Sequence, residues 1–216
     1  MNAAPAAQAA LVIYGDRASF DSANRGLAVE DFEEARVPQG GIDAMPNPLD
    51  SATSNAIFQP GEILAGLRIR TPDNDSDRAL AIPGAGFAGI VPSKTVFGNV
   101  FGSGLDAALY EGDAFAVGLD LYNFDFSGVA ADRSLSVFGA SGLLYNATFS
   151  VESSGTFFGI SSNEAITRVF LSGLGGYTIR FDNIAFGGAP VPSPGSLALL
   201  GLGLAGLGLS RRRKAT

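Results

Sequence analysis

The chain contains no cysteine, no histidine and no tryptophan. Without cysteine there is no disulfide, no thiolate nucleophile and no Cys-ligated metal, and the compartment cannot be read from that absence. Without histidine, a Ser-His-Asp triad and a His-ligated zinc are excluded, so any catalysis would fall to carboxylates, Lys or Tyr. Basic residues are scarce too, 14 against 21 acidic for a net charge of −7. Four of them are Arg211, Arg212, Arg213 and Lys214. Without those four, residues 1–210 hold 10 basic against 21 acidic, a net of −11. A body this acidic lacks the basic face that nucleic acid requires. It suits solubility and divalent cations.

What is abundant is glycine (29 residues) and phenylalanine (16 residues). That mixture favours short strands and tight turns over helix bundles. A chain of 216 residues fits one domain with an appended tail. "LVIY" (11–14) is β-like. Asp16 is placed to cap a short helix with Ala18, Phe20 and Ala23 near one face and Gly26 as its stop. "AVEDFEEA" (28–35) reads as a strand. Val37 to Ser54, with Pro38, Pro46 and Pro48, reads as a long loop. Further strands are expected at Ile63–Arg70, Arg78–Ile82, Leu105–Tyr110, Ala114–Phe126, Ser134–Phe138, Leu143–Val151, Thr156–Ile160, Ile166–Leu171 and Thr178–Phe186. So many strands with one helix predict a mainly β protein, an antiparallel sandwich of jelly-roll type over residues 11–188. In the last strand, Ile179 and Phe181 share one phase and Ile184 and Phe186 another. The slip predicts a bulge at Asp182-Asn183 that re-aims the Asp182 carboxylate.

The two ends differ from this body. Residues 1–10 are small and apolar, with an A-x-A pattern at Ala7-Gln8-Ala9, and read as the remnant of a signal peptide or as an Ala-rich start. After a Gly/Pro linker and Pro-Ser-Pro motif at 189–194, residues 195–216 hold an unbroken run of Leu, Gly and Ala from Leu197 to Leu209 and the Arg/Lys cluster. From Pro194 to Ser210 is about 25 Å as a helix, close to the roughly 30 Å of a bilayer core. A C-terminal transmembrane helix is therefore expected, with the basic cluster on the cytoplasmic side and the body exported.

The stretch "VPSPGSLALLGLGLAGLGLSRRRK" resembles the PEP-CTERM sorting signal of Gram-negative bacteria. That signal combines a Val-Pro-Glu-Pro-like motif, a short apolar span and a terminal Arg cluster. Here the motif is Val191, Pro192, Ser193 and Pro194, with Ser193 where the family usually has Glu. The resemblance implies an inner-membrane-anchored precursor, processed near that motif by an exosortase and passed to the cell surface or an exopolysaccharide matrix. The chain would be substrate in that reaction. Two prolines hold the strip extended for a protease cleft.

The stretch "FFGISSNEAITRVFLSGLGGYTIRFDNIAFG" resembles the closing strands of such proteins and of jelly-roll carbohydrate-binding modules. In those modules the first and last strands lie together and acidic groups hold a structural Ca²⁺. The resemblance implies Glu30, Asp31, Glu33 and Asp182 here, and hard oxygen ligands suit that ion. Asp73, Asp75 and Asp77 begin like an EF-hand loop. Arg78 stands at its sixth position and Gly84 at its twelfth, so a solvated turn is the better reading. No spacing singles out an acid and a nucleophile among Glu30, Glu33, Glu34, Glu62, Glu111, Glu152 and Glu164, and the chain is read as non-enzymatic. Tyr110, Tyr122, Tyr145 and Tyr177 are candidates for stacking on sugar rings or for partly buried core positions.

Overall fold

The computed structural model describes residues 10–71, 80–89, 91–98, 105–109, 114–124, 130–173 and 178–189. Their elements, in chain order, are β1 (Leu11–Tyr14), α1 (Arg17–Ala23), β2 (Ala28–Glu30), β3 (Ile42–Met45), β4 (Leu49–Asp50), β5 (Leu67–Arg70), β6 (Leu80–Pro83), β7 (Val96–Gly98), β8 (Leu105–Leu109), β9 (Ala116–Phe124), β10 (Ala131–Gly139), β11 (Gly142–Val151), β12 (Thr156–Ser162), β13 (Ile166–Gly173) and β14 (Thr178–Gly187). The strands form an eight-stranded sheet, β1-β12-β9-β14-β7-β6-β3 with β2 also on β14, and a six-stranded sheet, β11-β10-β13-β8-β5-β4. The pairings are antiparallel throughout the described residues.

Period-2 alternation decides which way each strand faces. Val117, Leu119 and Leu121 of β9 and Phe158 and Ile160 of β12 point from the larger sheet into one core. Leu135 and Val137 of β10 and Val169 and Leu171 of β13 meet them from the smaller sheet. The fold is thus a β-sandwich, as the strand pattern predicts. Ser134 and Ser136 of β10 and Arg168 of β13 hold outward positions between these core residues, so a register slip of one would expose the whole core row.

The larger sheet is covered on its other face as well, by α1. Asp16 caps the helix in extended backbone, its Oδ1 accepting from the Ser19 N–H at 2.8 Å. The helix stops at Ala23, with Asn24 as its cap. Gly26, expected as the stop, lies beyond it and turns the chain at φ +75°. Phe20 is fully buried. Its ring needs bare backbone beneath it. A Cβ on Gly118 would fall 2.6 Å from that ring, and one on Gly159 2.7 Å. Tyr14 meets the ring edge-on at 5.5 Å, and Phe157 lies at 5.5 Å. Burying this one side chain contributes about 2–3 kcal/mol.

Three expectations are corrected. The stretch from Val37 to Ser54 is not all loop, because it carries β3 and β4. Both are outermost strands of their sheets, where neighbouring prolines break no ladder. The strand over 28–35 ends at Glu30. There Phe32 takes φ +57° to drive its ring into the core, and the Glu30 carboxylate accepts the Phe32 N–H at 3.0 Å. The strand expected from Ile63 begins at Leu67, after a turn through Gly66 at φ +88°. The membrane span and the Pro-Ser-Pro motif lie outside the described residues. Among the described residues no helix is long and apolar enough to cross a membrane.

Candidate functional site

The structure brings together two of the four predicted calcium ligands. These are Glu30 and Asp31, joined by Glu34. One carboxylate oxygen of each lies within 4.8 Å of the others. Glu30 is buried, and its oxygens accept the Phe32 N–H at 3.0 Å and the Leu64 N–H at 2.8 Å. Those bonds favour the ionised carboxylate, but loss of solvent outweighs them and pushes its pKa up to about 7. The three carboxylates offer oxygen atoms, the donor type that hard divalent cations take.

Asp182 and Glu33 lie outside that group, each with its own partners. β14 lies beside β2, with Ile184 opposite Glu30, so the first and last strands do meet as expected. The bulge is also present. The register of β14 on β9 shifts between Asp182 and Ala185, and Asn183 takes φ +46°. The shift turns Asp182 towards Ser93, whose hydroxyl donates to it at 2.6 Å. The Asn183 N–H donates to its other oxygen at 2.8 Å. Burial raises the Asp182 pKa to about 6. Glu33 is exposed and pairs with Lys94, whose Nζ lies 3.7 Å away. A strand-based reading could not see Glu34 beside Glu30 and Asp31, because the left-handed turn at Phe32 is what brings it round.

Beyond the bulge lies an open cavity of about 440 Å³ between α1 and the sheet. Arg17 pairs with Asp120 at 3.0 Å, donates to the Asn183 carbonyl at 2.8 Å and covers the Phe157 ring at 4.7 Å. The Asn183 amide closes the circuit by donating to Asp120 at 2.9 Å. Leu27, Val29 and Ala185 form the apolar wall.

The outer face of the six-stranded sheet carries a feature that the sequence reading missed. Since Leu135, Val137, Val169 and Leu171 are core, Ser134, Ser136, Phe138, Arg168, Phe170 and Ser172 project outward. The Arg168 guanidinium lies 5.2 Å from the Phe138 ring centre and 5.4 Å from that of Phe170. Asn146, on the neighbouring strand, donates to the Ser136 hydroxyl at 2.8 Å. The signal was available in the outward phase of "TRVFLS". The tyrosines considered for sugar stacking do other work. Tyr145 stacks on Phe158 at 5.7 Å, and Tyr122 lies under Arg180 at 4.9 Å. Tyr110, Tyr177, Asp73, Asp75, Asp77 and Glu111 lie outside the described residues.

The body's last strand ends at Gly187, three residues before a segment with a recognisable pattern. Residues 190–214 match the PEP-CTERM protein-sorting motif. The motif includes Val191, Pro192, Ser193, Pro194 and the Arg211, Arg212, Arg213, Lys214 cluster. No curated protein matches the chain. Solved structures similar to it include a mutant family 29 carbohydrate-binding module, at 9% identity and TM-score 0.34, over 71% of this chain and 98% of the module. Another is the family 11 module from Clostridium thermocellum in complex with a β-1,3-1,4-mixed-linked tetrasaccharide, at 12% identity and TM-score 0.37, over 68% and 97%. A family 22 xylan-binding domain matches at 9% identity and TM-score 0.32, over 69% and 98%. At such scores the ligands of these modules remain facts about the modules.

The raised carboxylates set a pH dependence. The Asp182 pKa stands at about 6 in the fold against an ordinary 3.8. The folded state therefore holds this proton more tightly than the unfolded chain. The stability it contributes is full below the ordinary value and is lost as pH rises through the folded one. Glu30 acts in the same sense between 4.5 and about 7. Asp182→Asn retains partners for both bonds and removes the proton. Urea unfolding across pH values of about 4 to 6 should show a shallower loss of stability in this variant than in the parent, and equal slopes would refute the assignment.

Proposed function

We propose that this chain is an exported, non-enzymatic surface or extracellular-matrix protein, sorted and processed by an exosortase. The observation that carries the reading is the sorting motif at 190–214, directly behind the last strand. The run from Leu197 to Leu209 would hold the precursor in the inner membrane, with Arg211–Lys214 retained on the cytoplasmic side. Val191, Pro192, Ser193 and Pro194 would be the handle for the enzyme, whose action releases the body. The body is read as a jelly roll. Strands β7-β14-β9-β12 of one sheet and β8-β13-β10-β11 of the other follow the double Greek-key winding. In the native bacterium the body should fractionate to the surface or medium, and deleting the exosortase should leave a membrane-bound precursor. A cytoplasmic body, or unchanged sorting in the deletion strain, would defeat the reading.

A second reading is that the body attaches to exopolysaccharide. It is supported by the Phe138-Arg168-Phe170 row and the hydroxyl and amide groups beside it. Aromatic faces take the C–H side of a sugar ring, while guanidinium and amide groups take its hydroxyls. Saccharide arrays should detect binding by the body. Phe170→Ala and Arg168→Ala should each weaken it about tenfold, the equivalent of about 1.4 kcal/mol. Binding unaffected by both changes would place the ligand elsewhere.

We also propose a structural Ca²⁺ at Glu30, Asp31 and Glu34. Support comes from the three converging carboxylates and from the burial of Glu30. The ion would stabilise the end of β2 against the turn at Phe32. Saturating Ca²⁺ should raise the melting temperature relative to EDTA, since about a hundredfold excess over Kd adds about 2.7 kcal/mol. Coincident melting curves would remove the metal.

A further inference from the structure

Several hydrogen bonds line up along one end of the sandwich. The Ala10 N–H donates to Asn163 Oδ1 at 2.8 Å, and the Asn163 N–H returns to the Ala10 carbonyl at 3.2 Å. The Ser162 N–H donates to the Phe115 carbonyl at 2.8 Å, and the Phe115 N–H to the Gly187 carbonyl at 2.8 Å. The start of β1, the turn after β12, the start of β9 and the end of β14 are therefore neighbours. The chain enters and leaves the body at the same end.

The exit also turns sharply. Gly187 and Gly188 take φ +124° and +88°, values that glycine adopts without strain. A Cβ on Gly188 would lie 3.4 Å from the Leu27 side chain and 3.5 Å from that of Ala116. The backbone thus turns sharply after its last pairing and passes against the loop between α1 and β2. The sorting motif begins at residue 190. Only Gly188 and Ala189 separate it from β14, and the steps from 187 to 190 reach about 11 Å when fully extended.

The Ile166 N–H donates to the Ala114 carbonyl at 2.7 Å, which brings the turn at Ala165 to the same end, and Arg25 lies two residues before Leu27. We infer that this end of the sandwich, around Arg25, Leu27 and Ala165, is a contact surface for the membrane enzyme that processes the motif. The inference rests on the sorting reading above. A peptidase cleft grips several extended residues and has walls around them. When the gripped segment starts about 11 Å from a folded end, those walls meet that end. With only Gly188 and Ala189 between them, body and motif have little room to separate. The enzyme must therefore read body and motif as one object, and the surface at the exit becomes part of its substrate.

The test uses the full-length precursor in cells that carry the exosortase, with processing followed by pulse-chase. One variant combines Arg25→Glu and Ala165→Glu. A second inserts a flexible Gly/Ser segment between Ala189 and Pro190, of about ten residues and about 17 Å mean reach. A third combines both changes. Melting curves of the bodies confirm that the variants fold. The charge changes should slow processing at least about fivefold at the native spacing and have no further effect behind the long spacer. Charge changes without effect at native spacing, or with equal effect at both spacings, would overturn it. Parent precursor left unprocessed, or processed without the exosortase, would instead count against the sorting reading.

Discussion

β14 is the strand on which the rest of the structure depends. It pairs with β9 along one edge and with β2 and β7 along the other. Its constraint is a frame problem. Ile179, Phe181, Ile184 and Phe186 must all reach the core, yet a regular strand cannot bring both pairs to one face. One extra residue resolves it, and Asn183 takes a left-handed backbone to provide that residue. The same residue anchors Arg17 and Asp120, which fix α1 over the sheet. It also leaves Asp182 turned to Ser93. An irregularity demanded by packing thus organises most of the polar chemistry on that side of the molecule.

Much of this was legible in the sequence, because it follows from periodicity and local chemistry. The alternation in β9, the cap at Asp16 and the bulge at Asp182-Asn183 are all written in short windows. What was hidden depends on tertiary context. β7 has three residues, too few to show a period. β3 and β4 are disguised by prolines that only an edge position tolerates. The end of β2 is set by Phe32 seeking the core, and that choice decides whether Glu33 or Glu34 joins Glu30. The Arg168 row is visible only once Val169 and Leu171 are known to face inward.

The buried carboxylates show how competing terms settle a site. Glu30 and Asp182 each accept two hydrogen bonds, an arrangement that ordinarily favours the anion. Loss of solvent still dominates at both. Each is retained at a cost to folding near neutral pH. Such a cost is tolerable where a cation offsets it, or where the bonds it maintains, to Leu64, Phe32 and Ser93, hold otherwise irregular segments in place.

The position of β14 also bears on when the fold can form. The central strand of the larger sheet is the last to be made. Until residue 187 arrives, β9 has lost one neighbour, while β2 and β7 have no partner to bridge them. Most of the sandwich's pairings join distant parts of the chain, so little of it can close early. A chain delivered from its N-terminus would stay open along its middle until nearly all of it had passed. It would then close like a clasp just ahead of the tail. Placing the keystone strand next to the address tag makes completion of the body and arrival of the tag nearly simultaneous events.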